Sequence, residues 1–360
     1  MTANLKGRVF ASSLQDYFVG LHGARLKFLE KIVPAVVKSS SVVLRRIACA
    51  FESEAKVDSI VRRLQRFLAE SPLDQRQYAR FIVDLLGIIG PMTLAIDRTN
   101  WKFGETPINI LMLSVQWQGK AVPLFWRMLD KEGNSNQQER IDLLDLFLLT
   151  FGRQNIYNLT ADREFIGRRW FKWLIEQEIP FDIRIKSNTL AHRKGRECPV
   201  WELFRRVKRG KIQRRNGLFT VFDSQVYLSG GPAKNKKGAD DYFIIASYCG
   251  QTTAAKRYSL RWRIEQLFKE LKTSGFRLED THIMDPKRLS ALLILVAIAY
   301  CWVLKVGHKV AEQKPKLVQK LKHGRPRYSI LRIGLDTVRE AFWSRNRRKI
   351  KWVINFLSCT

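Results

Sequence analysis

Hydrophobic and polar positions follow three different rhythms along the chain, and the changes of rhythm divide it. Over residues 1–85 apolar side chains return at helical spacing: Leu44, Ile47, Ala48 and Phe51, then Ile60, Val61, Leu64, Phe67 and Leu68. Arg62, Arg63 and Arg66 fall outside the second apolar face, so two short helices are predicted, the second arginine-rich. Over 90–186 short apolar runs predict strands. The runs 91–97 and 156–162 each end in an acid, and those at 108–117 and 121–126 flank Gln118-Gly119-Lys120 as a hairpin. Helices are predicted at 140–149 and 165–177, and a strand at 181–186.

The order is three strands, helix, strand, helix, strand. It predicts an α/β domain in which the first and fourth strands lie side by side, the order of a ribonuclease-H-like core. Residues 187–250 break the rhythm: Arg, Lys and Gly abound, with strand-like pieces at 218–222, 225–228 and 242–246. Gly230-Gly231-Pro232 and the segment 234–238 read as turn and loop. This predicts a β-rich basic insertion that interrupts the core, which resumes over 251–312 with a helix from 254 to 273. Residues 289–304 are almost wholly apolar, too few for the roughly 20 needed to span a bilayer, and predict a buried helix packed on a sheet. A basic C-terminal region, 313–360, follows.

Charge sharpens the reading. With 64 Lys+Arg against 33 Asp+Glu, the formal net charge is +31. A folded chain with that excess repels itself, and a polyanion relieves it. Nucleic acid fits, because each phosphate contact releases a counterion. The N-terminal helix pair then reads as a helix-turn-helix carrying Arg62, Arg63 and Arg66 to a DNA groove; a plain helical bundle with solvated arginines has the same spacing. Cys49, Cys198, Cys249, Cys301 and Cys359 are scattered with no Cys-x-x-Cys pair, which suits a reducing cytosol and neither a disulfide framework nor a zinc site. The first residues lack a signal peptide's apolar segment, so a cytoplasmic protein without a membrane partner is expected.

Within the helix at 254–273, Tyr258, Arg261, Glu265 and Lys272 stand at offsets 0, 3, 7 and 14, which return to one direction at about 100° per residue. Lys269 shares that column. Leu260, Ile264, Leu267 and Leu271 cluster on the opposite side. Asp97 and Asp162, each followed by arginine, would sit on adjacent strands beside Glu265. Three close carboxylates repel unless a cation lies among them. Hard oxygen ligands suit Mg²⁺ or Mn²⁺, and two such ions serve in-line phosphoryl transfer.

The spacing Tyr258-x2-Arg261-x3-Glu265-x6-Lys272 resembles the YREK signature of bacterial DDE transposases of the insertion-sequence-four family. The surroundings, Asp97-Arg-Thr-Asn-Trp101 and Leu159-Thr-Ala-Asp-Arg-Glu-Phe165, are similar too. The resemblance implies that Asp97, Asp162 and Glu265 are the catalytic residues and ligands of two Mg²⁺ (or Mn²⁺) ions. It implies that Tyr258, Arg261 and Lys272 hold DNA near the cut. It also implies cut-and-paste movement of an insertion sequence whose terminal repeats a homodimer binds, strand transfer into target DNA, and a nucleoid-associated protein. Relatives cleave through a DNA hairpin, in which a tryptophan of the insertion stacks a flipped base; Trp201 or Trp262 could serve, although a packed core position is the commoner role for each.

Rival chemistries fit less well. His22-Gly-Ala-Arg25 mimics a tyrosine-recombinase motif but has little chain before it, and the five histidines form no His-x-His pair. A nuclease that does not rejoin DNA shares the carboxylate core. A catalytically silent or domesticated DNA-binding protein derived from a transposase is the alternative of a different class.

Overall fold

A computed structural model describes residues 14–234, 238–249, 253–322 and 324–358. The first residues of the N-terminal region, part of the expected loop at 234–238, His323 and Cys359 lie outside these. The chain forms two compact units: Ile89–Asn100 with Asn109–Gln266, and Met1–Ile88 with Trp101–Ile108 and Leu267–Thr360.

The first of these is built on one mixed sheet. Strands β1 (Met92–Phe103), β2 (Thr106–Trp117) and β3 (Lys120–Met128) precede helix α5 (Gln137–Phe151), β4 (Ile156–Ala161), α6 (Arg168–Glu176) and β5 (Phe181–Ile185). The sheet order begins β3-β2-β1-β4-β5, so β1 and β4 are neighbours, as the order of elements predicts. They run parallel, from Thr93 opposite Asn158 to Ile96 opposite Ala161. The β2–β3 turn puts Gln118 at φ 41° and Gly119 at φ 81°, the left-handed pair of a two-residue hairpin. Asn136 and Glu139 form a capping box that starts α5.

The segment that follows β5 adds β6 (Leu190–Arg193), β7 (Arg196–Pro199), β8 (Gln213–Arg214), β9 (Phe219–Val221), β10 (Ser224–Lys234) and β11 (Asp240–Ser247). These continue the sheet as β5-β11-β10-β9-β6-β7, with β8 against β10. Gly230-Gly231-Pro232 is therefore strand, where turn was expected. A Cβ on Gly231 would lie 2.0 Å from the carbonyl of Lys211, and one on Gly230 2.7 Å from that of Phe243. The glycines serve close backbone approach within a strand, which sequence cannot tell from a turn.

The other unit is mainly helical: α1 (Gly23–Ser39), α2 (Leu44–Cys49), α3 (Val57–Glu70), α4 (Gln75–Leu85), α9 (Pro286–Gln313), α10 (Ile330–Trp343) and α11 (Arg347–Asn355). Asp285 caps α9 through the amide of Arg288, with Pro286 at the first turn. By length and composition α9 could cross a bilayer, yet 89% of its apolar window is buried. Within its own unit it packs against α10, α1, α3 and α4. Residues 291–304 are buried without a break, as a helix that is apolar all round requires.

Candidate active site

Asp97 and Asp162 are brought together by the parallel β1–β4 pairing, which ends at Ile96 opposite Ala161. Asp162 follows the end of β4, but Asp97 does not end a strand as expected: β1 continues through it to Phe103. Each carboxylate turns back on the next residue. The amides of Arg98 and Arg163 donate to Asp97 Oδ1 and Asp162 Oδ1, both at 2.8 Å. Arg140, buried on α5, fixes the loop after Asp162 by donating to the carbonyls of Glu164 (2.9 Å) and Ile166 (3.1 Å).

The third carboxylate comes from a helix interrupted where continuity was expected. Helix α7 (Ala254–Ser259) stops, and α8 (Trp262–Lys269) begins after Leu260 and Arg261. A π-helical segment, Glu270–Ser274, follows α8. Tyr258, Arg261 and Glu265 nonetheless share one face, and Arg261 is its hub. Its Nη1 donates to Asp97 Oδ2 at 2.8 Å, its Nη2 to Glu265 Oε1 at 2.5 Å, and its Nε to the Tyr258 hydroxyl at 3.1 Å. The Tyr258 hydroxyl in turn donates to Asp162 Oδ1 at 3.2 Å. One guanidinium thus ties together all three acids, two directly and one through a phenol.

The electrostatics follow from that hub. Burial pushes the Asp97 carboxyl up to about 6, and Arg261 only partly offsets it. Asp162 is also desolvated, yet Arg261, the Arg163 amide, Arg184 and the Tyr258 hydroxyl together hold it below the usual range. Burial raises Tyr258, which stays a neutral donor. Burial works against the charge of Arg261, but its neighbours Tyr258, Asp97, Asp162 and Glu265 raise its pKa and keep it a cation. Two carboxylates with separated affinities for protons, facing an obligate cation, form a perturbed site of the kind that catalysis uses.

Whether such a site fits a divalent ion can be judged from its donors. Among the described residues no three His, Cys, Asp or Glu side chains stand close enough to hold one ion. The three acids instead close on Arg261. The donor set is nevertheless all hard oxygen, drawn from β1, the end of β4 and α8, and one guanidinium only partly offsets its three acids, so it fits Mg²⁺ or Mn²⁺ in kind. Entry of an ion among these acids requires the guanidinium to release at least one of them.

The other residues expected at DNA lie in the helical unit. Lys272 pairs with Glu279 at 2.6 Å, with its Nζ 5.5 Å from the centroid of the Trp101 ring. Lys269 is exposed. Arg62, Arg63 and Arg66 lie on α3, with Arg63 stacked 4.6 Å over the Phe28 ring, and all three are exposed. The two tryptophans considered for base stacking belong to the sheet unit. Trp262 is no core residue: it is 58% exposed, while Trp201 is 37% exposed and stands 6.0 Å from the Tyr242 ring.

Sequence reasoning passed over one face of β5. Asp182 and Arg184 alternate with Phe181, Ile183 and Ile185, so both project to the same side. Arg184 lies 4.0 Å from Asp162 and 3.9 Å from Asp241. Fully buried Asp182 receives Arg257 through Nε at 2.6 Å and Nη2 at 2.9 Å, and the Ser247 hydroxyl at 2.7 Å. Arg257 immediately precedes Tyr258, so this bidentate pair anchors α7 to the sheet where the site begins. The available signal was two charged residues in alternation within an apolar strand.

No curated protein matches the chain. Residues 90–302, more than half of it, match the family model described as Transposase DDE domain, and that span contains Asp97, Asp162, Tyr258, Arg261 and Glu265. The mixed sheet, with β1 beside β4, fits the ribonuclease-H-like core of that family, whose enzymes are nucleases and transposases that act on DNA and generally depend on a divalent metal. The chain belongs to the transposase DDE-domain family.

Proposed function

We propose that this chain is a cut-and-paste DNA transposase of the insertion-sequence-four type, with Asp97, Asp162 and Glu265 as its catalytic acids. The observation that carries the reading is the hub at Arg261, which gathers carboxylates 164 residues and four residues away onto one guanidinium. Asp97 supports it, being buried deeply enough to raise its pKa while it faces Arg261. Desolvation of that kind is typical of a working site.

Asp97, Asp162 and Glu265 would hold two Mg²⁺ or Mn²⁺ ions, which supply activation of the attacking oxygen and stabilisation of the leaving one. This chain's own groups do the rest. Arg261, once it releases an acid, offers a planar fork to a phosphate, and Tyr258 keeps Asp162 oriented through its hydroxyl. Lys272 and Lys269 would hold the DNA end beside the cut, and Arg62, Arg63 and Arg66 would bind the terminal repeats. A homodimer would bring two ends together in a bacterial cytoplasm, at the nucleoid.

Incubation of a pre-cleaved end with target duplex and Mg²⁺ tests the joining step. Joined product supports a transposase; cleavage of intact ends without any joining reduces the chain to a nuclease. A hairpin route predicts sealed ends among the cleavage products, and open ends as the sole product exclude it. The second reading, a silent DNA-binding descendant of a transposase, predicts binding of ends with no cleavage under any divalent ion. The intact carboxylate hub favours the enzyme.

A further inference from the structure

At the far edge of the same sheet, several strands away from β1 and β4, the insertion forms an open, arginine-lined pocket. Its volume is about 590 Å³ and five arginines line it: Arg193 on β6, Arg196 on β7, Arg205 and Arg206 after the turn that follows β7, and Arg215 after β8. Glu202 is the only acid in the lining, and it faces Arg196 at 3.6 Å. Among the described residues Arg205 and Arg206 have no acidic partner, and both are exposed. The wall therefore keeps an excess of positive charge that no acid of the lining neutralises.

Two of the arginines are built in rather than dangling. Arg193 stacks 4.9 Å over the buried Phe219 ring, and the backbone at Gly217 closes on it so tightly that a Cβ there would meet its Nη2 at 2.4 Å. Arg215 lies 5.1 Å over the Phe204 ring and donates through Nη2 to the Leu203 carbonyl, while its Nε is buried with no hydrogen-bond partner. Aromatic stacking fixes the planes of both guanidinium groups, and a fixed fork is what recognises phosphate oxygens in two-point fashion. Five arginines lining one pocket with a single acid among them call for an anion.

We propose that this cavity is a phosphate-binding site, separate from the carboxylates, that takes backbone phosphates of DNA. The proposal rests on the reading of the chain as a DNA-acting transposase, and it assigns the insertion the role of gripping the duplex away from the cut. An inorganic phosphate or a free nucleotide shares the ligand chemistry, and the experiment separates these sources.

Binding is measured on the full chain in EDTA, where it proceeds without cleavage. A 5′-labelled duplex is titrated over a range of salt, for wild type and for Arg205→Ala/Arg206→Ala, both exposed positions whose loss leaves the stacked arginines in place. Each phosphate contact contributes about 0.9 to the slope of log affinity against log salt, so the double variant should flatten that slope by about 1.8. An arginine-selective dicarbonyl reagent then maps protection by mass spectrometry. DNA should protect Arg193, Arg205 and Arg206, whereas inorganic phosphate or a free mononucleotide at equal phosphate concentration should not. An unchanged slope, or protection by phosphate but not by DNA, overturns the proposal. Absence of any DNA binding by wild type would instead remove the transposase reading itself.

Discussion

The Nη1 of Arg261 donates to Asp97 Oδ2 at 2.8 Å, joining a residue on β1 to one 164 positions later at the head of α8. Both side chains are largely withdrawn from water, at 10% and 15% exposure. A metal ion and this guanidinium compete for the same oxygens, because neither tolerates a second cation at contact distance.

Removal of the competitor gives the first prediction. Arg261→Met should bind Mn²⁺ at least about tenfold more tightly, since one hydrogen bond to a charged group is worth roughly 1.5–3 kcal/mol. Without metal the same variant should melt at a lower temperature, with three acids left facing one another, and its cleavage should fall because the phosphate fork is gone. Calorimetric Mn²⁺ titration checks the affinity; weaker binding than wild type would mean that Arg261 organises the ligands instead of competing for them.

Proton competition gives the second. A carboxyl raised to about 6 in the metal-free fold is ionised above that pH and protonated below it. Only the ionised form binds a cation, so Mn²⁺ affinity should be steady above about pH 7 and weaken about tenfold for each unit below the Asp97 pKa. Titrations at about pH 7.5 and about pH 5 decide; equal affinities would show that Asp97 is not a ligand.

The Asp182–Arg257 pair gives the third. Asp182 is fully buried and the Arg257 side chain is 9% exposed. Loss of either partner alone leaves an uncompensated buried charge, at a cost of about 3–5 kcal/mol. Asp182→Leu and Arg257→Met should each destabilise the fold by that order, and the double variant by clearly less than the sum. Urea unfolding of wild type and the three variants measures it, and additive losses would deny the coupling.

Helix contact gives the fourth. A Cβ on Gly334 of α10 would lie 1.9 Å from the Val303 carbonyl of α9, and one on Gly307 of α9 2.2 Å from the Ile330 carbonyl. Alanine normally improves a helix by up to about 1 kcal/mol over glycine. Here the clash is with backbone, which cannot swing aside, and overpacking of about 1–3 kcal/mol or more should win. Gly334→Ala should therefore lower the melting temperature, whereas a rise would mean that the two helices separate freely.

Much of the geometry of the candidate site was legible because it rests on periodicity. Offsets of three and four placed Arg261 and Glu265 beside Tyr258, and that face survives even though the helix breaks between Ser259 and Trp262. The order of strands and helices put β1 beside β4. What escaped depends on contacts that no regular spacing announces. Nothing near Lys272 announces Glu279 as its partner, and nothing near Asp182 announces Arg257. Gly230 and Gly231 carry the same local signal whether a chain turns or another backbone comes close, and here Lys211 and Phe243 decide. A uniformly apolar helix such as α9 announces that it is covered without saying by what.

The most direct trial is cleavage of DNA bearing the element's ends in Mg²⁺, with end binding followed in parallel, for wild type, Asp97→Asn, Asp162→Asn and Glu265→Gln. Wild type should cut at the element boundary, while each variant should bind the ends and leave them intact. Cutting at the wild-type rate by any one of the three would contradict the assignment of these acids as a single metal-dependent site.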